Sequence, residues 1–310
     1  AAAIAPDEPA YDVLMDEFEP GATEARLAPV FAELRQKLAP LIQAVADSGV
    51  RVDESPAKGD FPEAAQRAFG VEVAAAMGFD FEAGRLDKTT HPFCTTFDLR
   101  DVRITWRLQA DDFRPALFGI MHEAGHGLYE QGLPERWQGT PLGHAASLGV
   151  HESQSRLWEN LVGRSRAFWR WALPRFQARF PACDGLTAEA LWPALHTVKP
   201  SLIRVEADEA TYNLHIMLRY RLETALVSGD LAVADLPGAW SDGMEQLLGV
   251  KPATDAEGCL QDIHWAAGAV AYFPTYTLGN LLAAQLMETA RQDLADLDAQ
   301  VEAVDLLPQP

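Results

Sequence analysis

Basic residues are scarce in this chain: 25 Lys and Arg stand against 45 Asp and Glu in 310 residues, for a formal net charge of −20. Such a surface repels nucleic-acid backbones and anionic membranes, so neither is expected as a partner. Cysteine is scarcer still. Cys94, Cys183 and Cys259 lie far apart without a C-x-x-C pair, which argues against a disulfide framework and against a thiolate zinc site. No apolar run approaches the roughly 18 residues that a bilayer span needs. The opening Ala-Ala-Ala-Ile-Ala lacks the basic region and long apolar core of a signal peptide, and a cytoplasmic protein is expected. No Gly/Ser-rich or Pro-rich linker divides the chain and no repeat is visible, so residues 1–310 read as a single domain.

What is present is mostly helical periodicity. Leu27, Phe31, Leu34, Leu38 and Leu41 fall on one face of a first long helix, which Pro20-Gly21 and Thr23 introduce. Similar stretches recur over 62–78, 155–180, 187–197, 203–228, 240–248 and 277–303. Only around residues 89–108 does the character change. There Phe93, Thr95, Phe97, Leu99, Val102, Ile104 and Trp106 approach alternation and are rich in aromatic and β-branched types, which predicts a small antiparallel β insertion in a mainly α fold.

The most informative segment is His122-Glu123-Ala124-Gly125-His126. Leu117, Ile120, Met121, Ala124 and Leu128 give it a buried helical face, Pro115 marks the start, and Gly132-Leu133-Pro134 marks the end. On a helix, residues four apart stack on one side, so both imidazoles can share one tetrahedral zinc. Glu123 then sits beside the metal, where a carboxylate can take a proton from water attacking a carbonyl. Two imidazoles and a water leave one protein ligand to find. His151-Glu152-Ser153-Gln154 offers either Glu152 or His151, and spacing alone leaves both open.

These residues resemble those of the M32 metallocarboxypeptidases of the thermostable type. Asp101-Val102-Arg103-Ile104-Thr105, after His91-Pro92-Phe93, is similar to D-x-R-x-T; His122 to His126 matches H-E-x-x-H; His151 to Gln154 matches H-E-S-Q. Ile203 to Asp208 resembles I-R-x-x-A-D, and Gly258 to Trp265 resembles G-x-x-Q-D-x-H-W. Five ordered motifs span residues 91–265, with similar character from about Tyr11 to Asp298.

The resemblance implies a gluzincin-like metal site on the H-E-x-x-H helix, with Glu152 as third ligand to one divalent ion, zinc or cobalt, and Glu123 as general base. It implies removal of single residues from peptides with a free C-terminus, and a largely helical homodimer with a deep groove. A helical region ahead of the segment corresponding to Tyr11, and a continuation past Leu306-Leu307-Pro308, belong to the family pattern and are not found here. That departure bears on exopeptidase selectivity and dimer geometry more than on the metal site.

A free terminal carboxylate calls for a fixed guanidinium. Arg204 is the first choice, with Gln261 beside it in function; an ion pair from Arg204 to Asp208 is the plainer reading of the same spacing. Arg103 is as well suited to ordering the sheet edge beside Asp101. Charge developing on the carbonyl oxygen calls for a donor, for which His264 and Tyr272 are suited; the resemblance implies that both border the substrate. Asp262 is a candidate to orient an imidazole. His91, His144, His196 and His215 stand outside ligand spacings and read as surface or satisfied core residues. Trp158, Trp169, Trp171, Trp192 and Trp240 read as packing anchors. The alternatives to a carboxypeptidase are a metal-binding but catalytically weak peptide-binding protein, and an endopeptidase or oligopeptidase with the same metal site.

Overall fold

The periodic apolar stretches form helices and the alternating stretch forms a sheet. A computed structural model describes residues 1 and 3–303; Leu306-Leu307-Pro308 and the second residue of the opening Ala-Ala-Ala-Ile-Ala lie outside the described residues. Helices α1 (Ala10–Met15), α2 (Glu24–Asp47) and α3 (Glu63–Met77) precede strands β1 (Gly84–Lys88), β2 (Cys94–Asp98) and β3 (Asp101–Trp106). Then follow α4 (Arg114–Gln131), α5 (Leu148–Arg156), α6 (Arg166–Arg179), α7 (Ala188–Leu195), α8 (Tyr212–Ser228), α9 (Leu236–Leu248), α10 (Pro274–Asp293) and α11 (Leu297–Ala303). Contacts group the chain into two compact units that are discontinuous in sequence, one of residues 1–51, 147–149 and 198–278, the other of residues 52–146, 150–197 and 279–310.

The second unit holds the sheet, in the order β1-β3-β2. The antiparallel pairing of β2 with β3 is the expected insertion. The strand β1 lies ahead of the expected stretch and pairs with β3 in parallel; its sequence, Gly-Arg-Leu-Asp-Lys, has a single large apolar residue and gives no strand signal. Along β3, Val102, Ile104 and Trp106 point into the core while Asp101 and Arg103 face out. Period-2 alternation thus sorts the D-x-R-x-T motif onto one face. There Arg103 donates to Asp101 (2.7 Å) and Thr105 exchanges hydrogen bonds with the Phe93 backbone.

Helix α4 packs its Leu117, Ile120, Met121 and Ala124 into the same core, together with Phe69 and Val73 of α3 and Trp169 and Phe176 of α6. Pro115 sits in its first turn, where a missing N–H is harmless. Gly132 follows its last residue at φ −87°, a right-handed conformation in place of the left-handed cap its sequence suggests.

The first unit is built around α8, which is buried on nearly all sides from Tyr212 to Glu223. A helix surrounded in this way has no polar stripe, and its His215, Arg219 and Glu223 are buried with its leucines. Met15, Phe31, Trp240, Met244 and Phe273 complete that core. The expected helix over 203–228 is shorter than its periodicity: Arg204–Glu206 is a single 3₁₀ turn, and α8 begins only at Tyr212. Asp208 accounts for the break, because its carboxylate accepts from the backbone N–H groups of Ala210 and Thr211 and from the Thr211 hydroxyl.

Candidate metal centre

The two imidazoles of α4 lie on one face, with ring centroids 4.9 Å apart. Helix α5 brings Glu152 to them: its Oε2 lies 3.3 Å from His126 Nε2 and 3.7 Å from His122 Nε2. One donor atom each from His122, His126 and Glu152 falls within 4.8 Å of the others, a cluster that could hold a metal ion. The close approach needs two glycines. A Cβ on Gly125 would meet the Gln154 carbonyl oxygen at 2.7 Å, and one on Gly279 would meet the Glu152 Cβ at 2.7 Å.

The remaining nitrogens of both rings are engaged elsewhere. His122 Nδ1 is 2.8 Å from Glu159 Oε2, and His126 Nδ1 is 2.6 Å from His151 Nδ1. With Nδ1 committed, each ring has Nε2 left to face Glu152, which is the arrangement a shared ion requires. A neutral imidazole pair with one carboxylate suits zinc and its neighbours in the first transition row. The donor set therefore fits a divalent cation.

Glu159 comes from Leu157–Val162, a π-helical turn that continues α5. Wide turns of this kind recur at functional sites because they shift side chains off the α-helical register. Arg156 links the two carboxylates, donating from Nε to Glu152 Oε1 (2.7 Å) and from Nη1 to Glu159 Oε2 (3.2 Å). Sequence reasoning passed over Arg156, Glu159 and Glu130. Arg156 lies four residues after Glu152 and three before Glu159, and that ladder of opposite charges was the available signal.

Burial alone would push the His122 imidazole down, but Glu152, Glu159 and Glu123 carry it up to about 9. His126 goes the other way, to about 4, because burial outweighs its bond to Glu152. Burial would also raise Glu152 and Glu159; Arg156 and the imidazoles instead hold Glu152 well below the carboxylate range and Glu159 at about 2. The pocket thus contains ionised acids that favour a positive charge beside them. Glu123 differs. It is 6% exposed, and burial pushes its carboxyl up to about 7, near where a group can both take and return a proton.

Arg204, Gln261, His264 and Tyr272 belong to the other unit, where the first three gather around Asp262 and Tyr272 packs against His264. Arg204 donates from Nε to Asp262 Oδ1 (2.9 Å) and from Nη1 to the Tyr212 hydroxyl (2.9 Å). The pairing with Asp208 does not form; the Asp208 carboxylate is taken up by Ala210 and Thr211 in the turn ahead of α8. Arg219, fully buried, donates to Asp262 Oδ2 (2.6 Å) and to Gln261 Oε1 (2.8 Å). Gln261 Oε1 also accepts from the Arg204 backbone N–H (2.8 Å). Two guanidiniums therefore share one carboxylate. Asp262 stands 4.0 Å from His264 Nδ1 and spends its oxygens on the arginines. His264 Nε2 is 3.0 Å from the Tyr276 hydroxyl, and its ring meets the Tyr272 ring edge-on at 5.1 Å.

The other histidines divide. His91 and His144 are exposed, and His196 bonds the Trp192 carbonyl oxygen (2.8 Å). His215 departs from the expected satisfied core residue: it is wholly buried with both ring nitrogens lacking a partner.

A model of the family described as carboxypeptidase Taq (M32) metallopeptidase matches residues 1–308. The chain is 51% identical over 288 residues to Thermostable carboxypeptidase 1 of Thermus thermophilus, covering 93% of this chain and 56% of that protein. It is 44% identical to Carboxypeptidase 1 of Bacillus subtilis, over 96% of this chain and 60% of that one. The solved M32 carboxypeptidase from Deinococcus radiodurans superposes with a TM-score of 0.93 at 45% identity, covering 98% of this chain and 61% of that one. This chain thus spans less than two thirds of the relatives it matches.

Proposed function

This chain belongs to the carboxypeptidase Taq (M32) family of metallopeptidases, and from that premise we propose that it is, or is part of, a metal-dependent carboxypeptidase. The observation that carries the reading is the convergence of His122, His126 and Glu152 on one point with their outer atoms already committed. Those three residues would hold one divalent cation, zinc or cobalt. When bound, such an ion supplies Lewis acidity, lowering the pKa of water and polarising a carbonyl.

The chain's own residues would do the rest. Glu123 takes the proton of the attacking water and returns it to the leaving amine, for which a carboxyl raised by burial is suited. Arg204 and Gln261 are assigned to the substrate's free carboxylate; the net positive charge of two arginines on Asp262 supports that assignment. His264 and Tyr272 are assigned to the border of the substrate, as donors to the oxygen on which charge develops. The substrates are peptides with a free C-terminus, the assembly a homodimer, and the compartment the cytoplasm. Among the described residues no helix is long and apolar enough to cross a membrane.

Cleavage of one peptide with a free and with an amidated C-terminus tests the reading. The zinc-loaded protein is expected to release single amino acids from the free form, and amidation or Arg204→Ala is expected mainly to raise KM. Equal cleavage of both forms would instead identify an endopeptidase. Bound metal without any release of amino acids would identify the catalytically weak binding protein.

A further inference from the structure

His151 is adjacent to Glu152 and carries chemistry that the proposed function does not use. Both its nitrogens are engaged: Nδ1 with His126 Nδ1 (2.6 Å) and Nε2 with Glu130 Oε1 (2.7 Å). Its ring also meets Tyr129 edge-on at 5.0 Å, fixing its plane. A ring so occupied has no lone pair to offer an ion.

The protons in this chain can be assigned from end to end. If Nε2 of His126 is to accept a cation it carries no proton, so the neutral ring bears its hydrogen on Nδ1. That N–H needs an acceptor, and the atom facing it is His151 Nδ1. His151 must then carry its own hydrogen on Nε2, which donates to Glu130. The Glu130 carboxyl is held below its ordinary value, first by that hydrogen bond, so its oxygen is an acceptor only. Each bond in His126–His151–Glu130 therefore fixes the next, and the last is anchored by a charge. The reverse orientation would put a proton on His126 Nε2 and close the site to any cation.

We infer that His151, backed by Glu130, is a positioning residue that locks His126 in the tautomer and ring orientation needed to hold metal. The inference rests on the metal-centre reading of the proposed function. A ligand's orienting carboxylate is common; here an imidazole is interposed, so the anchoring charge of Glu130 lies one ring further from the ion. His122, by contrast, is served directly by Glu159.

Zinc affinity measured by competition with a chromophoric chelator, on the full chain, tests it together with the thermal midpoint of each metal-free protein. His151→Phe keeps the ring's volume but removes the acceptor, and is expected to weaken zinc binding about 10- to 100-fold with an unchanged metal-free midpoint. Glu130→Gln retains an oxygen acceptor without its charge and is expected to weaken binding by less. Wild-type affinity in His151→Phe would overturn the inference. So would a loss as complete as that of His126→Ala, which would make His151 a ligand, or a loss matched in both variants by a fallen midpoint, which would make it a packing residue. Failure of the unaltered protein to bind zinc would instead sink the metal-centre reading itself.

Discussion

Gly125 of α4 and Ser155 of α5 meet so closely that a Cβ on Gly125 would stand 2.7 Å from the Ser155 Cα. The glycine inside H-E-x-x-H is thus a contact surface. It lets the second helix lie against the first at the turn where His122 and His126 face Glu152, and the obstructing atoms are backbone, which cannot rotate away.

Gly125→Ala is therefore expected to force the two helices apart. An alanine gains about 0.5–1 kcal/mol of helix propensity over glycine, but overpacking against backbone costs about 1–3 kcal/mol, so the variant should be less stable and bind zinc more weakly. Urea unfolding of the metal-free protein checks the sign. A variant more stable than the parent would show that the contact yields easily.

Glu159→Leu should release His122 from the bond that turns its Nε2 inward. Loss of such an outer partner typically costs about 10- to 100-fold in metal affinity, and here it also leaves Arg156 with Glu152 as its remaining carboxylate of the two. The zinc dissociation constant should rise accordingly, while Glu159→Gln, which keeps an acceptor oxygen, should lose less. Equal affinities in the parent and the leucine variant would remove Glu159 from the account of the site.

Glu223 accepts from Tyr11 (3.0 Å), from the Trp265 indole (2.7 Å) and from the backbone N–H of Ala271 (3.2 Å), whose φ of 69° is left-handed. It is 1% exposed, and burial raises its carboxyl from 4.5 to about 7 against the pull of those donors. An acid raised in the folded state contributes nothing differential below the unfolded value, where both states are protonated. As pH rises from about 4.5 through about 7 only the unfolded state ionises freely, and stability falls by roughly 3 kcal/mol. Glu223→Gln should abolish that fall. Chemical unfolding of both proteins at about pH 5 and about pH 8 compares the slopes; parallel curves would contradict the shift.

Much of this was legible in the sequence for identifiable reasons. The helix bearing His122 and His126 announces itself by apolar residues at helical spacing and by Pro115, and the hairpin of β2 and β3 by its β-branched alternation. What stayed hidden depends on geometry that sequence spacing cannot carry. Glu159 reaches His122 through a π turn, whose register differs from the 3.6-residue repeat. Arg204 pairs with Asp262, which is remote in sequence, while Asp208 spends its carboxylate on the turn ahead of α8. The strand β1 has almost no apolar pattern and exists through its parallel partner. The two compact units interleave along the chain, so no linker composition marks them.

On the proposed function, His122, His126 and Glu152 hold one catalytic cation beside Glu123 as base. Metal content and peptide turnover measured together on Glu123→Gln test it most directly. One equivalent of zinc per chain is expected, as in the unaltered protein, with nearly all amino-acid release lost, whereas Glu152→Ala should retain little metal. Substantial turnover in Glu123→Gln, or a full equivalent of tightly held zinc in Glu152→Ala, would contradict it.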